Sequence, residues 1–166
     1  MNKNNLKIIA AVGNRWELGL KNRLLCHLPE DMKYFKETTR GHTVIMGDRT
    51  WESLPVKPLP HRRNIVLSLN PDFECQGAKL SGSLPKTFDL LAPDETAFVI
   101  GGATIYRLFL PYVGHLYLTR VLANFEADVF FPEIDLSRWT LVEDTFFEKD
   151  EKNLYNLRFQ HYQLNQ

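Results

Sequence analysis

VIGGATIYRLF, from Val99 to Phe109, runs a short apolar strand into a double glycine and straight on into a helical pattern. VIMGDRTWESL, from Val44 to Leu54, repeats the order: an apolar run, Gly47, and a short helix for which Thr50 is the expected N-cap. Two strand-glycine-helix units in one chain point to a sheet with helices laid across it. LKIIAAV at 6–12, RNIVLSL at 63–69 and AFVI at 97–100 read as further buried strands, and PEDMKYFKETT at 29–39 and ATIYRLFL at 103–110 as helices. Strand and helix alternate, so the sheet is expected to be mainly parallel.

The last third changes character. HLYLTRV at 115–121, WTLVEDTF at 139–146 and LYNLRFQHYQL at 154–164 follow one another without long helices, so they should extend the sheet in part antiparallel. In the final segment Tyr155, Leu157, Phe159 and His161 alternate with Asn156, Arg158 and Gln160, the period of a strand with two unlike faces. Phe130, Phe131 and Trp139 read as core packing, and no repeat or linker divides the chain, so one domain is expected over 1–166.

With 166 residues, 44% of them hydrophobic and 24% charged, the composition is that of a globular domain with an ample core. Twenty basic residues balance 20 acidic ones, which argues against a polyanionic partner such as nucleic acid. No run approaches the length of a membrane span. Two cysteines, Cys26 and Cys75, without CxxC spacing, suit a reducing cytoplasm better than a disulfide scaffold. The five histidines show no metal-ligand spacing, so no metal is expected.

Four places could carry chemistry. Gly101 and Gly102 let a ligand approach the backbone where helix amides favour phosphate, although such a turn is as readily a plain connection. Gly47 adds a second cradle at the same end of the sheet, where ligands of open α/β sheets settle. In LPEDMKYF, Asp31 lies in the first helical turn and shares a face with Phe35, with Leu28 and Met32 nearby. A carboxyl group among apolar side chains should have a raised pKa and invite a ligand that offers paired N–H donors. Arg62, where the proline-rich loop of PLPHRRNIVLS enters a strand, is either a carboxylate clamp or a solvated surface side chain.

Taken in order, IAAV at 9–12, LPEDMKYFK at 28–36, VIMGDRTWESL at 44–54, PLPHRRNIVLS at 58–68, VIGGATIYRLFLP at 99–111, LYLTRV at 116–121 and EADVFFPEI at 126–134 closely resemble the bacterial dihydrofolate reductase family. The resemblance implies an eight-stranded mixed sheet with four helices, and reduction of 7,8-dihydrofolate to tetrahydrofolate by NADPH in support of one-carbon metabolism. It also implies a monomer and a target of antifolate inhibitors.

By the same resemblance Asp31 is the catalytic carboxylate, bonding the pterin, and Thr119 supports that end of the ring. Phe35, Leu54 and Leu59 wall the aminobenzoyl group, Ile9 and Met32 complete the lining, Arg62 clamps the glutamate α-carboxylate and Lys57 reaches the tail. Ala11, Leu18, Gly19 and Leu20 border the nicotinamide, with Leu24 in the flap over it. Gly47, Arg49 and Thr50, with Gly101, Gly102, Ala103, Thr104, Ile105 and Tyr106, hold the pyrophosphate. Arg49, Ser68 and, by backbone contact, Leu69 fall at the adenosine 2′-phosphate.

The chain departs from the family in three places. Cys26 stands where tryptophan is usual and Leu25 where proline is, which alters the flap beside the pterin. Asp48 stands where related chains often carry arginine, and its charge should weaken NADPH binding unless Arg49 offsets it. A pyrimidine reductase of riboflavin synthesis on the same fold would need a ribosyl-phosphate site in place of Asp31, Phe35 and Arg62. A cofactor-binding protein without catalysis would have no use for Asp31 and Thr119 together.

Overall fold

Along Leu6–Val12, the first strand, alternate residues enter two different cores: Leu6, Ile8, Ala10 and Val12 one, Ile9 the other. A strand buried on both faces must lie inside a sheet covered on both sides. The computed structural model describes residues 3–20, 23–24 and 28–166. In chain order the elements are β1 (Leu6–Val12), β2 (Glu17–Leu20), β3 (Arg23–Leu24), α1 (Pro29–Thr39), β4 (Thr43–Gly47), α2 (Asp48–Ser53), β5 (Arg63–Leu67), β6 (Lys79–Ser81), α3 (Leu84–Asp89), β7 (Ala97–Gly101), α4 (Ala103–Phe109), β8 (His115–Val121), β9 (Val129–Phe130), β10 (Trp139–Phe147) and β11 (Leu157–Leu164).

Eight strands form one sheet in the order β10-β11-β8-β1-β7-β4-β5-β6, and β3, β2 and β9 form a small second sheet. The pairs from β8 through β1, β7, β4 and β5 to β6 are parallel, and β11 joins antiparallel to β8 and β10. The fold is therefore the mixed, mainly parallel α/β sheet with four helices that the resemblance implies.

One core, around Ile8, Ile45, Val99, Leu116 and Phe109, lies under α3 and α4. The other, around Ile9, Val44, Met46, Trp51 and Phe98, lies under α1 and α2, with Tyr34, Phe35, Leu54 and Leu59 packed on it. Each fully buried aliphatic side chain contributes about 1.5–3 kcal/mol, so the two layers secure the central strands. The substrate-side candidates belong to the second layer.

Several boundaries differ from the sequence expectations. The N-cap of α2 is Gly47, not Thr50, because the helix already begins at Asp48. The strand expected over 63–69 ends at Leu67, where Ser68 turns to bond Ser81. The last strand starts at Leu157 rather than at 154, since Asp150, Lys152 and Asn153 close a hydrogen-bonded turn before it. Phe131 is buried and Trp139 packs on the core, but Phe130 is 45% exposed because β9 alternates its faces at the surface. Strands β2, β3, β6 and β9 and helix α3 carry too few residues for a period to show in the sequence.

Candidate active site

Asp31 and Thr119 meet at the mouth of the second core. Pro29 opens α1 and sets the helical φ, placing Asp31 in the first turn, where the positive helix end favours a carboxylate. Leu28 gives this helix no side-chain cap, and the missing acceptor comes from Asn153, whose Oδ1 accepts from the Glu30 amide at 2.9 Å. Asp150 holds Asn153 in turn. Thr119 sits on β8 in register with Ala11 on β1, and its Oγ1 donates to Asp31 Oδ1 at 2.6 Å. Burial raises the Asp31 pKa, and the Thr119 bond opposes that rise without cancelling it. The raised carboxyl pKa expected from the sequence is borne out.

Ile9, Phe35, Leu54 and Leu59 converge on one apolar wall beside this pair, while Met32, next to Asp31 on α1, is 51% exposed. The loop carrying Leu59 is pinned from beneath by Asn64, a buried amide on β5. Its Oδ1 accepts from the Leu59 amide at 2.9 Å, and its Nδ2 donates to the carbonyls of Leu59 and Arg62 at 3.0 Å. A polar residue at an inward strand position was the available signal for Asn64, and sequence reasoning missed it. Arg62 is not a free surface side chain: Nε donates to the Pro60 carbonyl and Nη1 to Thr39 Oγ1, with the guanidinium over the Phe35 ring. Burial, then the neighbouring Arg40 charge, lowers its pKa. Lys57, joined to Pro58 by a cis peptide, is exposed at the rim.

The two glycine turns abut at the C-terminal ends of β4 and β7. A Cβ on Gly47 would fall 2.9 Å from Ile105 Cγ1, so glycine there permits α4 to press against β4. A Cβ on Gly102 would lie 3.8 Å from Thr50 Oγ1, so the hydroxyl of α2 faces the turn that begins α4. Gly101 has φ of 125°, which favours glycine, and its peptide bond to Gly102 is cis. Neither α2 nor α4 has a side-chain cap, leaving amides for a ligand. Ala103 and Ile105 are half-buried and Thr104 exposed at that start. Tyr106 is buried behind it, its hydroxyl donating to the Ile9 carbonyl at 2.8 Å, so its side chain braces β1 rather than facing outward.

Further along this edge Arg49 and Leu69 are exposed, and Ser68 is buried with its Oγ donating to Asp48 Oδ2 at 2.9 Å. Above β1, Leu18, Gly19 and Leu20 lie on β2, which Glu17 anchors. This carboxylate is fully buried and accepts from the amides of Arg15 and Phe125. Burial works to raise its pKa, but the backbone donors and the Arg15 charge outweigh it and hold the group low. The expectations for the Leu24 side chain, Leu25 and Cys26 lie outside the described residues.

A half-buried acid beside an apolar wall, with paired glycine turns at the ends of parallel strands, fits an α/β enzyme that holds a small ligand beside a nucleotide cofactor. The dihydrofolate reductase family model matches residues 5–164. A dihydrofolate reductase of Bacillus subtilis (strain 168) is 45% identical over 156 residues, 94% of this chain and 92% of its own length. That of Neisseria gonorrhoeae is 46% identical over 140 residues, 84% and 86% of the two chains. Among solved structures, Enterococcus faecalis dihydrofolate reductase complexed with NADP(H) and RAB-propyl superposes with a TM-score of 0.91 at 36% identity, covering 99% of both chains. The chain belongs to the dihydrofolate reductase family, and it is an NADPH-dependent reductase.

Proposed function

We propose that this chain reduces 7,8-dihydrofolate to 5,6,7,8-tetrahydrofolate with Asp31 as its single pocket carboxylate. The observation that carries the reading is the short bond from Thr119 to an acid of raised pKa beside the wall of Ile9, Phe35 and Leu54. Two oxygens of one carboxylate match a ring N–H and its neighbouring amino group, and Thr119 fixes the plane in which they are offered. Phe35, Leu54 and Leu59 hold the aminobenzoyl group, with Met32 at the edge. Arg62 presents its fork to the glutamate α-carboxylate and Lys57 adds charge at the rim.

NADPH, when bound, supplies the hydride. The residues present fit it: abutting glycine turns with uncapped amides suit a pyrophosphate, and a cavity of ≈ 390 Å³ opens farther along the strand ends. Gly47, Thr50 and the stretch from Gly101 to Ile105 hold that centre, and Ala11, Leu18, Gly19 and Leu20 border the nicotinamide. Catalysis by these side chains is chiefly positioning and exclusion of water. Asp31 orients and polarises the ring, while solvent delivers the proton that accompanies the hydride.

In this reading planar inhibitors offering the same donor pair compete at Asp31, and the enzyme acts as a cytoplasmic monomer. Purified chain mixed with NADPH and dihydrofolate tests it by nicotinamide absorbance. Consumption that requires dihydrofolate and collapses in Asp31→Asn supports the proposal. Cofactor binding without consumption defeats it in favour of a binding-only protein.

A further inference from the structure

Ser68 has one hydroxyl proton, and it is committed. Its Oγ donates to Asp48 Oδ2 at 2.9 Å and accepts from the Asn70 amide at 3.2 Å. With the residue 4% exposed, no rotation brings that proton to a ligand while the Asp48 bond stands. Asp48, the first residue of α2, keeps partial exposure where the ends of β4 and β5 meet. Beside this pair lies the ≈ 390 Å³ cavity, lined by Ser68, Leu80, Ser81, Gly82, Lys86 and Asp89 among others, so a second carboxylate adds to the negative charge at this edge. The edge therefore offers an anionic acceptor with one oxygen already held in place, and its nearest buried hydroxyl is withdrawn from donation.

We infer that the adenosine end of the cofactor site reads a ribose 2′-hydroxyl through Asp48, so that NADH binds beside NADPH with little discrimination. The inference rests on the proposed course of the cofactor along the ends of β4, β5 and β7. A carboxylate at the ribose accepts a hydrogen bond from a 2′-hydroxyl and repels a 2′-phosphate at the same position. Arg49 and Lys86 are the cations at this edge that attract a phosphate; both are exposed, where solvent and salt screen their charge. Opposed attraction and repulsion leave a narrow preference. Asp48 is thus the specificity-determining residue.

Equilibrium binding, followed by quenching of protein fluorescence, decides the matter without turnover. The wild-type chain and Asp48→Asn are titrated with NADPH, NADH, 2′,5′-ADP and 5′-ADP. Asparagine keeps an acceptor for Ser68 and removes the charge. The expected result is that wild-type Kd values for NADPH and NADH differ by no more than about tenfold, and that Asp48→Asn tightens NADPH and 2′,5′-ADP by about tenfold or more while NADH does not gain. A wild-type preference for NADPH of more than about 100-fold, unchanged in the variant, overturns the inference. Equal weakening of all four ligands also overturns it, since Asp48 would then serve the fold alone. If the wild-type chain binds no dinucleotide, the proposed cofactor site fails together with it.

Discussion

The hydroxyl of Thr119, on β8, reaches across 88 residues of chain to donate to Asp31 Oδ1, on α1, at 2.6 Å. That bond opposes the upward push of burial on the Asp31 pKa. Thr119→Val preserves the shape of the side chain and removes the donor. The Asp31 pKa then rises further, and the acid limb of kcat/KM for dihydrofolate moves to higher pH. Loss of a bond to an ionised group costs about 1.5–3 kcal/mol, a fall in kcat/KM of roughly 10- to 100-fold. An unmoved pH profile would show that Thr119 does not act through Asp31.

Asp31→Asn separates catalysis from stability. Turnover should drop by about 100-fold or more, because the amide cannot present two acceptors to the ring. Stability should move the other way. A carboxyl whose folded pKa is raised stabilises the fold only while protonated, and this contribution is lost as pH rises through the folded pKa. At pH 8 the variant should therefore melt higher than the parent, by a few degrees, with the gap closing as pH falls toward the ordinary carboxylate range. Thermal melts over a pH series check this, and a variant that melts lower at pH 8 would contradict the burial of charge.

Glu17 carries the opposite sign. Its folded pKa is held low, so its contribution is present above the ordinary carboxylate range and disappears as pH falls through the folded value. Glu17→Gln should cost about 1–3 kcal/mol at neutral pH, since one buried bond to Arg15 or Phe125 is lost. The difference should vanish in acid. Because Glu17 anchors β2, the variant should also raise KM for NADPH more than KM for dihydrofolate. Chemical denaturation at two pH values, with steady-state kinetics, tests both parts.

Asn153→Ala removes a side-chain acceptor from the α1 start, costing about 1 kcal/mol. The expected signature is a small loss in melting temperature together with a rise in KM for dihydrofolate, since Asp31 lies one residue beyond the capped amide. Unchanged KM with reduced stability would confine Asn153 to the fold.

Much of the architecture was readable from local pattern. LKIIAAV and HLYLTRV match β1 and β8 residue for residue, and PEDMKYFKETT matches α1, because runs of these lengths display a period and Pro29 marks a start. Asp31 stood out as an acid sharing a helical face with Phe35, and its raised pKa followed from that neighbourhood. The alternation of strand and helix, and so the parallel sheet, was determined by the sequence itself.

Only the tertiary structure decided which partners those residues meet. Thr119 on Asp31, Asn153 on the Glu30 amide, Asn64 under the Leu59 loop, Glu17 on Phe125 and Ser68 on Asp48 are contacts between polar groups on different elements. His115 Nδ1 and His161 Nε2 lie 2.8 Å apart although nothing in their spacing pairs them. Hydrophobic burial repeats along each element and leaves a periodic trace, whereas a hydrogen bond joins two single atoms that the packing of the sheet brings together. The first is written along the chain; the second exists only once the chain has folded.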